Sequence, residues 1–490
     1  MKKNKQNSVS KNTFYNLLIN LIKVLIPLLT IPYISRILGP EKLGTVNFIR
    51  SIINYFIIIA GLGIPIYASR EIAKLKNNIE RRSEFFIEIE LLRFITIFII
   101  EFIFVLLIFK YPQVVKGHVN LTLVFSGLIV SSFFNIDWFY KGLGKFNIIS
   151  NSLLFSKFIY LFLIFVLVKN KQDMYYYIII IILSDFIFNF SMFFVSKQNL
   201  DFNRFSFKTI NIKRHFKFVG WFLFSRLAVL VYTNLDSVMV GYIQNEKSVG
   251  HYYVANRLIK IILPFVIATG AVLLPEISKL KENADYEKIK NYLRKSISIM
   301  VMISVPATLG FVLLSDKIIP LVFGLQYDSI LTLKILAPLL IIIGFSNIYG
   351  TQILLPFNKE KEFSLIIIFG AIINFILNLF LIRTFGHNGA AVSTLIAELI
   401  IAILDYFLVK KIIKNIYNIK NIIQVSIASF LMLIYIIFSK DLFFVFMNNL
   451  FGVGFIVLTS AILYFFILYL LKNEVLLYGI SKIKIEISDR

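Results

Sequence analysis

Hydrophobic residues run along this chain in long blocks, and short polar segments interrupt them. A helix needs about 20 mostly apolar residues to cross a bilayer. Fourteen blocks meet that length: 14–36, 43–65, 86–109, 119–140, 148–168, 174–195, 217–242, 252–274, 296–314, 329–350, 362–382, 389–409, 421–438 and 451–471. None of the connections is long enough for a separate soluble domain. The pattern predicts an all-α integral membrane protein with about 14 transmembrane helices. The segment KENADYEKIKNYLRK alternates charge at helical spacing and is expected to form an amphipathic interfacial helix between two spans.

Polar residues inside the blocks fall on helical stripes. The first span carries Asn16, Asn20, Lys23, Pro27 and Thr30 at steps of three and four, and the second carries Asn47, Arg50 and Asn54. The sixth carries Asp185, Asn189, Met192 and Ser196. The eighth carries Tyr253, Asn256, Lys260 and Pro264, and the twelfth Thr394, Glu398 and Asp405. Such stripes point inward, either lining a wet cavity or joining helices by hydrogen bonds.

The order of features repeats. Glu41-Lys42-Leu43-Gly44 opens the second span and Glu246-Lys247-Ser248-Val249-Gly250 opens the eighth. The fourth span ends in DWFYKGLGKF and the tenth in QILLPFNKEKEF. A duplication of six spans follows, giving two six-helix lobes related by a pseudo-twofold axis along the membrane normal. The expected organisation is an N-lobe over 1–200, a C-lobe over 201–410, and two further helices with a tail over 411–490.

Composition sharpens the picture. Hydrophobic residues make up 58% of 490, yet 51 Lys and Arg against 27 Asp and Glu leave a net charge of +24. A nucleic-acid binder would need a soluble domain carrying the basic face, and this chain has little soluble sequence. The bases instead follow membrane topology. With the N-terminus in the cytoplasm, cytoplasmic segments hold 33 Lys and Arg and outer loops hold 10. That asymmetry places both termini in the cytoplasm, with the basic loops against anionic membrane lipids. There is no cysteine, and the four histidines show no metal-ligand spacing. No metal and no cofactor are expected.

Charges within spans are the candidate chemistry, because each costs about 2.5–3.5 kcal/mol near a helix centre. Glu88, Glu90, Arg93, Asp137, Arg257, Lys334 and Asp405 lie close enough to span ends to reach the interface. Lys23, Arg50, Lys157, Arg226, Lys260, Glu101, Asp185, Asp236 and Glu398 lie deeper. The cations of the first, second and eighth spans suit an anion such as a diphosphate.

At these residues the chain resembles a known family. NLLINLIKVLIPLLTIPYISRILGPEKLGTVNFIRSIINYFIIIAGLGIPIYASREIAK is similar to polysaccharide flippases of the Wzx type (O-antigen or capsule), in the multidrug/oligosaccharidyl-lipid/polysaccharide exporter superfamily. NIDWFYKGLGKF, NLDSVMVG, PFVIATGAVLLPEIS and NFILNLFLIRTFGHNGAAVSTLIAEL extend the resemblance over nearly the whole chain. The resemblance implies two six-helix lobes in a V, as in MATE and MurJ-type proteins, and alternating access. It implies an undecaprenyl-diphosphate-linked oligosaccharide as substrate, with Lys23, Arg50 and either Arg257 or Lys260 holding the diphosphate. Lys23 stands where an arginine is common, which weakens bidentate contact with phosphate. Asn20, Asn47, Asn54, Lys157, Arg226 and Asn256 are expected to line the cavity. Asp185, Asp236 and Glu398 are candidates for a coupling H⁺ or Na⁺.

Other readings are weighed against this one. A lipid II flippase of peptidoglycan synthesis is a close relative. A MATE-type multidrug cation antiporter would fit an acid in the first span better than Lys23. A membrane enzyme such as a polymerase or ligase would need an outer loop with clustered catalytic groups, and none is present. The chain is therefore read as a transporter and not an enzyme, in the cytoplasmic (inner) membrane. Its partners are expected to be the lipid-linked substrate, membrane lipids, and the polysaccharide polymerase and chain-length machinery. It is expected to act as a monomer.

Overall fold

The computed structural model describes residues 2–201, 211–212, 214–215, 234–446, 450–478 and 480–481. Every regular element among them is helical. Eleven helical segments are long and apolar enough to cross a membrane. Two of these hold a residue with non-helical dihedrals at mid-length, Gly39 and Gly386. Dividing them there yields thirteen apolar spans among the described residues. The remaining expected span, 217–242, lies mostly outside them. The protein is a multi-pass, all-α membrane protein.

The chain divides into two compact units, Met1–Gly241 and Tyr242–Arg490. Unit 1 begins with α1 (Lys2–Gly61), whose 60 residues would reach about 90 Å if straight. They do not run straight. Ile19 and Ile22 share one hydrophobic cluster with Ile64, Tyr67 and Ile72. The chain therefore folds back, and Gly39 makes the turn at φ 73° with Pro40 after it. At the far end Tyr33 donates to the Val168 carbonyl oxygen at 2.9 Å. After the hairpin come α2 (Ile64–Lys74) and α3 (Ile79–Lys110).

The fourth span is not one helix. It consists of α4 (Val119–Phe125), α5 (Gly127–Ser131), a 3₁₀ turn at Ser132–Phe134 and α6 (Asp137–Leu143). Unwound backbone in a membrane needs partners from neighbouring helices. Arg93 donates to the Ser132 carbonyl, and the Asn189 amide donates to the Ser131 carbonyl at 3.3 Å. Next come α7 (Phe146–Leu167) and α8 (Met174–Ser196), which pack side by side.

Unit 2 contains α9 (Glu246–Val266), α10 (Ala268–Glu282) and α11 (Tyr286–Phe323). The segment 281–295 was expected to form one interfacial helix. Instead Ala284 adopts φ 52°, and Asp285 caps the next helix by accepting from the Lys288 N–H at 3.2 Å. The chain breaks there, and YEKIKNYLRK continues without interruption into the following span. Then come α12 (Ile330–Leu336), α13 (Leu339–Asn347) and a π-helix at Ile348–Leu354. The second hairpin is α14 (Glu360–Ile412), which turns at Gly386 with φ 58°. Its arms meet closely: a Cβ on Gly389 would lie 1.9 Å from the Leu381 carbonyl oxygen. Only glycine fits that contact. The last spans, α15 (Ile419–Phe446) and α16 (Leu450–Leu470), pack on each other and on α11.

Candidate functional site

The deep polar residues of unit 1 gather around Asp185. One of its carboxylate oxygens accepts from the Ser131 hydroxyl at 2.7 Å and from the Asn189 amide at 2.9 Å. The break between α5 and α6 places Ser131 there, and α8 brings Asp185 and Asn189 to one face at a spacing of four. Lys157 on α7 donates to the Ser184 hydroxyl at 3.0 Å and stands 4.9 Å from the centre of the Tyr160 ring. Arg50 on α1 and Lys157 lie within electrostatic range of each other and of Asp185. Three predicted residues from three spans thus come together. The group holds two bases for one acid, and Arg50 is exposed.

Lys23 belongs to a second cluster, nearer the end of the unit that holds Tyr67 and Ile72. It faces the Asp137–Lys141 ion pair at the start of α6. Asn20 and Lys23 are exposed and Asn54 is half-buried. Asn47 is buried, and its amide donates to the Leu43 carbonyl at 2.8 Å. Asp236 is buried within electrostatic range of Tyr55. Arg226 lies outside the described residues. In unit 2, Asn256 and Arg257 are half-buried on α9, and Lys260 is exposed. Glu398 lies within electrostatic range of Asp405 on the same arm of α14.

Four charges expected near the interface are buried instead. Glu88 and Asp405 are fully buried, and Glu90 and Arg93 nearly so. The reason is pairing. Arg93 bonds Glu90 at 2.7 Å, and Ser346 donates to Asp405 at 2.9 Å. Glu88 accepts from the Asn211 N–H at 2.8 Å, from Arg214, and from His215 Nε2 at 2.9 Å. Tyr67 Oη shares a 2.8 Å hydrogen bond with the other nitrogen of His215. A cavity of about 460 Å³ opens beside this group, lined in part by Tyr67, Arg81, Arg214 and His215. Burial holds the His215 imidazole below its ordinary pKa, and the hydrogen bond to Glu88 opposes that shift. This network was missed in the sequence. No short-range motif joins Glu88 to a residue 127 positions later.

Unit 2 has its own polar ladder. The Asn378 amide donates to Asn374 Oδ1 at 3.2 Å, and the Asn374 amide donates to Thr394 Oγ1 at 3.4 Å across the α14 hairpin. At the π-helix, Gln352 donates to Thr269 Oγ1 at 3.4 Å, and Thr269 shares a 2.7 Å hydrogen bond with Ser296. Among the described residues there is no group of three or more His, Cys, Asp or Glu that could hold a metal ion.

Known proteins share this architecture. The solved structure described as "Lipid II flippase MurJ, inward closed conformation" superposes with a TM-score of 0.75 at 17% identity, over 94% of this chain and 99% of that one. An inward-facing multidrug resistance MATE family transporter of the MOP superfamily gives a TM-score of 0.58 at 17% identity, over 82% and 94%. A relative in Escherichia coli (strain K12), named "Putative O-antigen transporter", is 24% identical over 406 residues, covering 82% of this chain and 97% of its own. Residues 222–381 match the MatE family. Residues 9–281, more than half of the sequence, match the polysaccharide biosynthesis protein family, and the chain belongs to that family.

Proposed function

We propose that this protein moves a lipid-diphosphate-linked oligosaccharide across the cytoplasmic membrane by alternating access, for the assembly of a surface polysaccharide. The observation that carries the reading is the grouping of two bases, Arg50 and Lys157, with one acid, Asp185, on apolar spans of unit 1. A cation there is costly unless it has a counter-charge or an anionic ligand. Asp185 supplies one negative charge for two bases, which leaves a charge to be met by substrate. A diphosphate fits, because Arg presents a planar fork to phosphate and Lys a compact charge. Lys23, beside an ion pair already balanced within itself, adds a further base. In unit 2, Arg257 and Lys260 are the corresponding candidates on α9. The relatives named for O-antigen transport and lipid II flipping support the same substrate class.

On this reading both termini lie in the cytoplasm and the protein performs no covalent chemistry. Asp185, Asp236 and Glu398 are the groups to carry a coupling H⁺ or Na⁺. Membrane potential is the other driver, at about 2.3 kcal/mol per charge per 100 mV. Lys23→Ala and Arg50→Ala, expressed at normal level in a strain lacking its polysaccharide flippase, are expected to abolish or strongly reduce surface polymer. Full polymer from both variants would overturn the diphosphate assignment. Drug resistance conferred on a sensitised host would favour a multidrug antiporter instead.

A further inference from the structure

Two histidines of unit 2 stand apart from the candidate transport residues. His251 lies in the first turns of α9, and His387 follows the Gly386 turn of α14. Both are buried, at 5% and 8% exposure, and their ring centres are 5.1 Å apart. Between them passes the connection that leads into α12. The Asp328 N–H donates to His251 Nδ1 at 3.2 Å, and the Asp328 carbonyl bonds His387 Nε2 at 2.8 Å. One residue is thus held by both rings. Ser329 adds a bond to the His251 carbonyl at 2.8 Å, and Thr332 adds one to Asn388 at 2.7 Å. Three elements meet at this point.

The atoms fix the protonation states. A backbone N–H can only donate, so His251 Nδ1 must offer its lone pair and the ring must be neutral. A carbonyl oxygen can only accept, so His387 carries its proton on Nε2. A second proton on His251 would set two donors against each other and place a cation beside His387. The other titratable groups acting on His251 are the Asp328 carboxylate, which favours that charge, and Lys247, which opposes it. The Tyr327 ring meets His251 edge-on, and Tyr253 acts in turn on Tyr327.

We propose that this pair is a proton-operated latch: protonation of His251 releases residues 324–329 and the Gly386 turn from α9. On the topology of the transport reading the latch faces the extracytoplasmic side and senses its pH. The test itself needs neither substrate nor sidedness, so it stands or falls separately from that reading.

The experiment is hydrogen–deuterium exchange of the full chain in lipid nanodiscs between pH 7.5 and 5.0. Rates are divided by the intrinsic exchange rate at each pH. Protection at residues 324–329 and 383–388 is expected to fall by up to about tenfold per pH unit below about pH 6.5, the ordinary imidazole value. Protection within α11 is expected to hold. His251→Asn keeps an acceptor near the position of Nδ1 but does not titrate, so its protection is expected to be independent of pH. His387→Gln keeps the donor and is expected to retain the response. Constant protection in the native chain would overturn the latch, as would an undiminished response in H251N. A response lost in H387Q but kept in H251N would also overturn it.

Discussion

The two units differ in how many charged groups they bury. Both bury hydroxyls and amides, such as Asn47, Ser131 and Asn189 in unit 1, but unit 1 also buries Glu88, Glu90, Arg93, Asp236 and His215. Apart from tyrosines, the buried ionisable side chains of unit 2 among the described residues are Asp405, His251 and His387, and its other buried polarity is amide and hydroxyl, as in Gln352, Asn374, Asn378 and Ser393. A buried charge tolerates few arrangements, because losing its partner leaves an uncompensated ion. Amides and hydroxyls exchange partners at a cost of about 1 kcal/mol or less within a membrane. Unit 1 is therefore the part whose geometry is fixed by charge, and it carries the candidate anion site. Unit 2 rests more on neutral polar contacts, which are individually weaker.

The largest test of that contrast is Glu88. It accepts from Asn211, Arg214 and His215 while fully buried. Glu88→Ala leaves the buried His215 and the Asn211 N–H without their acceptor, while Arg214 is half-exposed, and is expected to cost about 1–3 kcal/mol. The measurement is thermal unfolding of the detergent-solubilised chain. Asn378→Ala in unit 2 is expected to cost well under half as much in the same assay. Equal losses would break the comparison.

Next in size is the transport effect of Arg50. Hydrogen bonds to charged groups contribute about 1.5–3 kcal/mol, so Arg50→Ala is expected to slow translocation roughly tenfold to a hundredfold. Arg50→Lys keeps the charge but loses the fork, and it is expected to recover part of the rate. Polymer output at matched expression reads both. An R50A chain with native output would remove Arg50 from the anion site.

Much of this was legible in the sequence because it is local. Apolar run length located the spans, and Gly39-Pro40 stands between two runs where the first hairpin turns. The stripe Asp185–Asn189 brings both side chains to one face, and they are bonded there. What stayed hidden depends on long-range pairing. Position near a span end suggested that Glu88, Glu90, Arg93 and Asp405 reach the interface, yet each has partners that hold it inside. The break in the fourth span was hidden for the same reason. Its run of apolar residues reads as a continuous helix, and the partners that satisfy the opened backbone, Arg93 and Asn189, come from other helices. Asn47 shows the converse: it is buried while Arg50 on the same stripe is exposed, and its amide is used on its own backbone.

Acid should weaken unit 1 through His215. Burial lowers its pKa in the folded chain, so the unfolded chain takes up a proton first as pH falls. The stabilising contribution is complete above the ordinary imidazole value, about 6.5. It is lost as pH drops below that value toward the folded pKa. His215→Gln, which can hold Glu88 without titrating, is expected to flatten the dependence of melting temperature on pH between 7 and 5. A native chain whose stability rises with acid over that range would contradict the burial argument.

The finest comparison sets one hydroxyl in each unit against the other. Ser131→Ala removes a donor from the Asp185 carboxylate, and a hydrogen bond to a charged group is worth about 1.5–3 kcal/mol. Thr394→Val removes the acceptor of the Asn374 amide, a neutral interhelical bond worth about 0.6 kcal/mol. Asn374 keeps its bond from Asn378, so its carbonyl stays paired. Thr394 also donates to the Ala390 carbonyl within its own helix, and that carbonyl already serves the helix backbone. Its loss therefore adds little. Each variant removes one hydroxyl, and Ser131 Oγ also accepts from the Asn189 amide at 3.1 Å, so the difference in their melting shifts reports the charged bond together with that second one. If Thr394→Val costs as much as Ser131→Ala, the polar ladder of unit 2 is as fixed as the carboxylate cluster of unit 1.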